Sequence, residues 1–168
     1  ANIKLKDQLA IDQASTYLRF ATAFAKDMNG RSIVAKTNAA PLQTSNHTED
    51  TTSPNMTNFQ LNMNYNQTQA QLTLNFDEPI DASTVSATEL YIQKAANVSN
   101  ANDYHQLTGG SVSTTDGKQI TIVLTETDTA NIKLKDQLAI DQASTYLRFA
   151  TAFAKDMNGR SIVAKTNA

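Results

Sequence analysis

The residues with the clearest chemistry in this chain are four Asn-x-Ser/Thr sequons: Asn46-His-Thr48, Asn55-Met-Thr57, Asn66-Gln-Thr68 and Asn97-Val-Ser99. In a secreted eukaryotic protein each such Asn amide is an acceptor for an N-linked glycan on a surface loop. The chain holds 16 Asn and 33 Ser or Thr among 168 residues, so chance placement alone gives about three sequons and four is not an enrichment. Position is more telling, because all four fall where linkers, strand starts, turns or loops are expected, and none at an inward position. Covalent glycans on Asn46, Asn55, Asn66 and Asn97 are therefore expected partners, and the Thr-rich stretch before Pro54 offers O-linked sites.

The inventory for catalysis is thin. The two histidines, His47 and His105, lie far apart in sequence, and there is no cysteine. No Gly-x-Ser-x-Gly, phosphate loop or His-x-x-x-His pair occurs. Asp77, Glu78 and Asp81 could form an acid/base pair of the kind that cleaves glycosidic bonds, but a turn containing Pro79 explains them more simply. Tyr146, Phe149 and Phe153 could stack on a sugar, yet their alternation makes the two Phe core and leaves one exposed Tyr. No enzyme activity and no cofactor is expected.

The elements that must position these residues are mostly strands. Phe59, Leu61, Met63 and Tyr65 alternate with Asn58, Gln60, Asn62 and Asn64, the period of a half-buried strand with an amide-rich outer face. Leu72, Leu74 and Phe76 give a second strand, which Pro79 is expected to end, since proline cannot donate to a central ladder. Asp81 to Thr84 reads as a turn or a single helical turn, and Leu90 to Ile92 as a third strand. Asn97 to Asp103 reads as a polar loop. Asp116-Gly117 is a hairpin signal before the strand of Ile120, Ile122 and Leu124. Asp128 is a candidate cap for a short helix or turn around 128–138, with Leu134 and Leu138 on one face, while Ile132, Leu134, Leu138 and Ile140 also alternate as in a strand. Leu147, Phe149 and Phe153 then mark a central strand, Asp156 to Gly159 a turn, and Ser161 to Lys165 a last short strand. About seven short strands with frequent turn signals predict an all-β chain, a two-sheet β-sandwich of immunoglobulin type.

Length alone would suit one domain, but residues 1–39 and 130–168 are identical, letter for letter, at an offset of 129. That period is far above the roughly 20–50 residues of solenoid units, so each period can be a self-sufficient domain. Residues 1–39 read as the C-terminal third of a preceding identical repeat, 40–54 as a Thr/Ser/Pro linker, and 55–168 as a complete domain. In the first copy the Tyr17–Phe24 strand, with Leu18, Phe20 and Phe24 on one face, has no partner strands before it. An apolar row on an open ladder edge must be covered. The expected cover is an adjacent copy, either the previous period of one polypeptide, of which this chain would be a window, or a strand-exchanging subunit.

Net charge is −2, and no basic stripe of the kind that binds nucleic acid is present. Charged residues are only 18%, so Asn, Gln, Ser and Thr supply the polarity, a composition suited to exposed strand faces. The missing cysteine excludes a disulfide scaffold. No run approaches the about 18 apolar residues of a membrane span.

Several of these segments share a pattern with a known family. Leu72-Thr-Leu-Asn-Phe76-Asp-Glu-Pro79-Ile-Asp81-Ala-Ser-Thr84 resembles the opening of bacterial-type immunoglobulin-like repeats, the Big and SbsA/SwmB-like modules of surface-layer proteins and giant adhesins. Asp116 to Leu124 is similar to their central hairpin. Tyr146-Leu-Arg-Phe149 followed by Lys155-Asp-Met-Asn-Gly159 is similar to their closing strands, with Asn and Gly in swapped order, and Asp50-Thr-Thr-Ser-Pro54 resembles their lead-in. The resemblance implies a sandwich in a tandem extracellular or cell-surface array that serves as a spacer. It also implies calcium at domain junctions, for which Asp50, Asp77, Asp81, Asp128 and Asp156 are the candidate ligands. Calcium needs six to eight oxygen ligands, and the absence of any Asp-x-Asp cluster favours solvated turn carboxylates. The expected function is a structural repeat of a long, glycosylated extracellular filament or fibre. The alternative is an adhesin repeat that binds glycans or a surface and is rigidified by calcium.

Overall fold

The computed structural model describes residues 9–167. The chain divides between Thr51 and Thr52 into two compact units. In the first, β1 (Tyr17–Leu18) pairs antiparallel with β2 (Leu42–Gln43), so the stretch read as a linker contributes a strand. Bridges from Phe20 to Lys36 and from Lys26 to Ser32 extend this small structure.

The second unit is mostly β. In order it contains β3 (Met56–Asn62), β4 (Gln71–Asp81), β5 (Leu90–Gln93), β6 (Tyr104–Gln106), β7 (Ser111–Val112), β8 (Gly117–Val123), α1 (Glu126–Leu134), β9 (Tyr146–Phe149) and β10 (Lys155–Asp156). One sheet runs β10-β4-β8-β7, with β3 also on β4, and a second runs β6-β5-β9. All pairings are antiparallel. Period-two patterning sends Leu72, Leu74 and Phe76 of β4 and Ile120 and Ile122 of β8 to the inner side of one sheet. Leu90, Ile92 and Phe149 come from the other sheet into the same hydrophobic cluster. Each such side chain contributes about 1.5–3 kcal/mol by leaving water.

Several details depart from the sequence reading. Pro79 does not end β4, which continues to Asp81. The β4–β8 register shifts between Asn75 and Ile80, and Pro79 sits inside that irregularity, where no ladder bond requires its missing N–H. A second shift, between Met56 and Asn58 on β3, lets Met56 and Phe59 both turn toward the core although they are three apart. The alternating strand also stops at Asn62, leaving Tyr65 exposed in the following turn.

The helix begins earlier and ends earlier than expected. Thr125, not Asp128, is its N-cap, and its hydroxyl accepts from the Asp128 N–H at 3.0 Å. Leu134 and Leu138 do not share a face: Leu134 is exposed, while Leu138, past the helix end, is buried. The strand expected to be central, β9, lies at the edge of its sheet, flanked on its far side by a single bridge from Phe149 to Lys165. Ser161 and Lys165 make isolated bridges rather than a last strand. Gly110 is required by close approach. With φ +146, a Cβ there would lie 2.9 Å from the Val123 carbonyl oxygen.

Candidate functional site

The expected glycan acceptors sit in different settings. Asn46 lies in the first unit and is exposed. Asn66 is exposed in the turn between β3 and β4, where its Oδ1 accepts from the Thr68 and Gln69 N–H groups at 2.9 and 2.6 Å. Asn97 is exposed in the segment after β5. Asn55 is half-buried, and its Oδ1 is buried without a hydrogen-bond partner.

The five carboxylates considered for calcium are not brought together, and among the described residues no group of three or more His, Asp or Glu side chains could hold a metal. Asp50 is half-buried in the first unit. Most of the others hold their own backbone. Asp77 accepts from the Asn55 N–H at 2.8 Å. Asp81 caps the 3₁₀ turn Ala82–Thr84 by accepting from the Ser83 N–H and hydroxyl at 2.9 and 2.7 Å. Asp156 is buried and accepts from the Asn158 and Arg160 N–H groups, both at 2.8 Å. Of the proposed acid/base group, Glu78 is also largely buried, with the Thr52 hydroxyl 3.4 Å away.

Asp128 is different: its residue type marks a helix start, but its partners His105 and Thr108 lie 23 and 20 residues away in the chain and have no local signature. It is fully buried at the third position of α1. It accepts from His105 Nε2 at 2.8 Å and from the Thr108 N–H and hydroxyl at 3.1 Å. Burial pushes this carboxyl up, but hydrogen bonds from His105, Thr125 and Thr108 outweigh it and hold it below the ordinary 3.8. Thr108 donates to Asp128 and not to His105, so the three do not form a nucleophile–base relay. They tie the start of α1 to β6 and the loop after it.

Two surfaces of the second unit have recognition chemistry. On the outer side of the three-stranded sheet, the Arg148 guanidinium lies 4.0 Å from the centre of the Tyr91 ring and 5.4 Å from that of Tyr104. This cation–π stack depends on the register that places Arg148 opposite Tyr91, so sequence alone could not assemble it. Phe149 and Phe153 are buried, their rings 5.1 Å apart, and Tyr146 is exposed. A groove of about 1060 Å³ runs between β3 and residues 139–147, with Asn58, Gln60, Asn62 and Asn64 beside Phe59 and Tyr146.

The two copies of the repeated segment offer a comparison inside one molecule. Locally they are alike. Phe20 and Lys36 exchange backbone bonds of 3.0 and 2.9 Å, and Phe149 and Lys165 do the same at 2.9 and 3.0 Å. Gly30 and Gly159 both have φ +80, and Ala10 and Ala139 have φ 57 and 56. Asp12 and Asp141 are both held below the ordinary carboxyl range, chiefly by hydrogen bonds from Ser15 and Ser144. Burial separates them. Leu138, Phe153 and Met157 are 2%, 0% and 8% exposed, and their counterparts Leu9, Phe24 and Met28 are 47%, 69% and 102% exposed.

No family model matches the chain, and no curated protein or solved structure matches it. The likeness to bacterial-type immunoglobulin-like repeats rests on the sequence motifs alone. Among the described residues no helix is long and apolar enough to cross a membrane.

Proposed function

We propose that this chain is a structural repeat of a long extracellular filament or cell-surface fibre, built from tandem immunoglobulin-like sandwiches and decorated with glycans. One observation carries the reading: a 39-residue segment occurs twice without variation, and over the described residues 9–38 and 138–167 the local structure is alike while Leu138, Phe153 and Met157 are buried and their counterparts Leu9, Phe24 and Met28 are exposed. A segment that keeps its sequence while needing foreign strands to cover it suits an array whose units complete one another. Eight strands in two sheets around one core, with antiparallel pairing throughout, support the sandwich. The exposed Asn46, Asn66 and Asn97 suit a glycosylated surface. Electron microscopy of the protein from its natural source tests this. Filaments of uniform beads are expected, and isolated compact particles would count against it.

The groove beside β3 favours a second reading, an adhesin repeat that binds glycans. Side-chain amides next to an exposed tyrosine match the mixed hydrogen-bonding and stacking surface of a sugar. A glycan array on the intact chain separates the two readings, since a spacer gives no signal.

A further inference from the structure

The first copy of the repeat presents a surface whose partner is displayed in the same molecule. In the second copy, residues 138–167 act as a plug in an acceptor formed by residues 52–134. β9 pairs along β5 from Gln93 to Leu90, and β10 pairs with Ile80 and Asp81 of β4. The Phe153 carbonyl accepts from the Ser86 N–H at 2.9 Å, and the Val163 N–H donates to the Pro54 carbonyl at 2.9 Å. Phe149, Phe153, Ala154 and Ile162 complete the core.

Residues 9–38 carry every one of these groups in the same local conformation, and among the described residues nothing pairs along their docking edge. Phe20 bonds Lys36, and the Thr16 carbonyl accepts from the Thr44 N–H at 3.0 Å. These residues have one parity along the strand, so Lys36 and β2 lie on one edge of it. Tyr17 and Arg19 direct their backbone groups to the other edge. Their counterparts Tyr146 and Arg148 are the residues opposite Gln93 and Tyr91 of β5. The apolar face, with Leu9, Leu18, Phe24 and Ile33, is exposed.

We infer that residues 9–38 and 138–167 are interchangeable plugs for one acceptor, so that the chain can fold in two connectivities. The exchange leaves α1 in place, because it begins after Lys135. It also needs no long reach. With Val34 in the place of Val163, beside Pro54, the 19 residues from 35 to 53 close a loop whose ends meet, and lengthening such a loop costs little. The second copy holds the acceptor in the native chain because it follows α1 directly. A second copy of this chain brings two plugs and one acceptor of its own and so leaves a plug over, which favours exchange within a chain; the fibre reading instead takes one acceptor for every plug. This inference stands apart from the fibre reading.

The test uses the full chain in three variants: F149A/F153A, F20A/F24A, and all four substitutions together. Each substitution also changes peptide mass, so hydrogen exchange can be read separately for residues 17–28 and 146–157. F149A/F153A is expected to keep a cooperative melt within a few degrees of F20A/F24A. Slow exchange should be lost from the 146–157 peptide and appear in the 17–28 peptide, with the protein monomeric. The fourfold variant should lose its melt. Loss of the melt in F149A/F153A, slow exchange retained in its 146–157 peptide, or a melt present only in a concentration-dependent oligomer would each overturn the exchange.

Discussion

Replacing Asp128 by Ala tests whether the buried carboxylate is a structural tie. The side chain is fully buried and accepts from His105 at 2.8 Å and from two Thr108 groups at 3.1 Å. A hydrogen bond to a charged group is worth about 1.5–3 kcal/mol and a neutral one about 0.5–1.5 kcal/mol. Thr108 is exposed and can turn to water, so its two bonds count at the low end. The His105 ring is nearly enclosed and loses more. An acidic residue in the first turn of a helix adds about 0.3–1 kcal/mol. Together the loss is about 3–5 kcal/mol, a large part of the about 5–15 kcal/mol that holds a typical domain folded. Urea unfolding followed by circular dichroism reads it directly. The same carboxyl sets a pH dependence. Its folded value lies below the ordinary 3.8, so its contribution is complete above that value and fades as pH falls through the depressed one. The wild type should therefore lose stability at acid pH more steeply than D128N. A D128A loss below about 1 kcal/mol, with wild-type and D128N curves of equal slope, would refute the tie.

Other outcomes follow from burial and backbone geometry. L72A, in the core, should cost about 2–5 kcal/mol, whereas F24A, on the exposed copy, should stay within about 0.5 kcal/mol; thermal melts compare them. G110A should destabilise by more than about 1 kcal/mol, because φ +146 and the Val123 carbonyl leave no room for a Cβ, and calorimetry measures it. Glycopeptide mass spectrometry of natural material should find Asn46, Asn66 and Asn97 occupied and Asn55 bare, since the Asn55 Oδ1 is buried.

Much of the β-structure is legible in the sequence because period two survives wherever a strand has one wet face. Leu72-Thr-Leu-Asn-Phe76 and Ile120-Thr-Ile122 are such stretches, and their buried positions are the ones alternation picks. Pro79 misleads because its tolerance depends on a register shift set by the neighbouring strand. The helix cap misleads because Thr125 and Asp128 are both capping residue types, and only the fold around Thr108 and His105 draws the Asp128 side chain away. The Tyr91–Arg148–Tyr104 stack unites three strands and has no local signature. The repeated segment makes the division plain. Its hairpin bonds, its glycine turn and its left-handed alanine are written in 39 residues and appear twice, whereas burial of Phe153 and exposure of Phe24 are decided by the strands around them.

Hydrogen exchange on assembled natural material tests the central claim most directly, that the exposed copy is made to be covered by another unit. The peptides covering residues 17–28 and 146–157 have one sequence, so a single mass envelope reports both. In the isolated chain it should split into a slow and a fast population. In the assembled fibre it should collapse to one slow population, and a fast population that persists there would contradict the account.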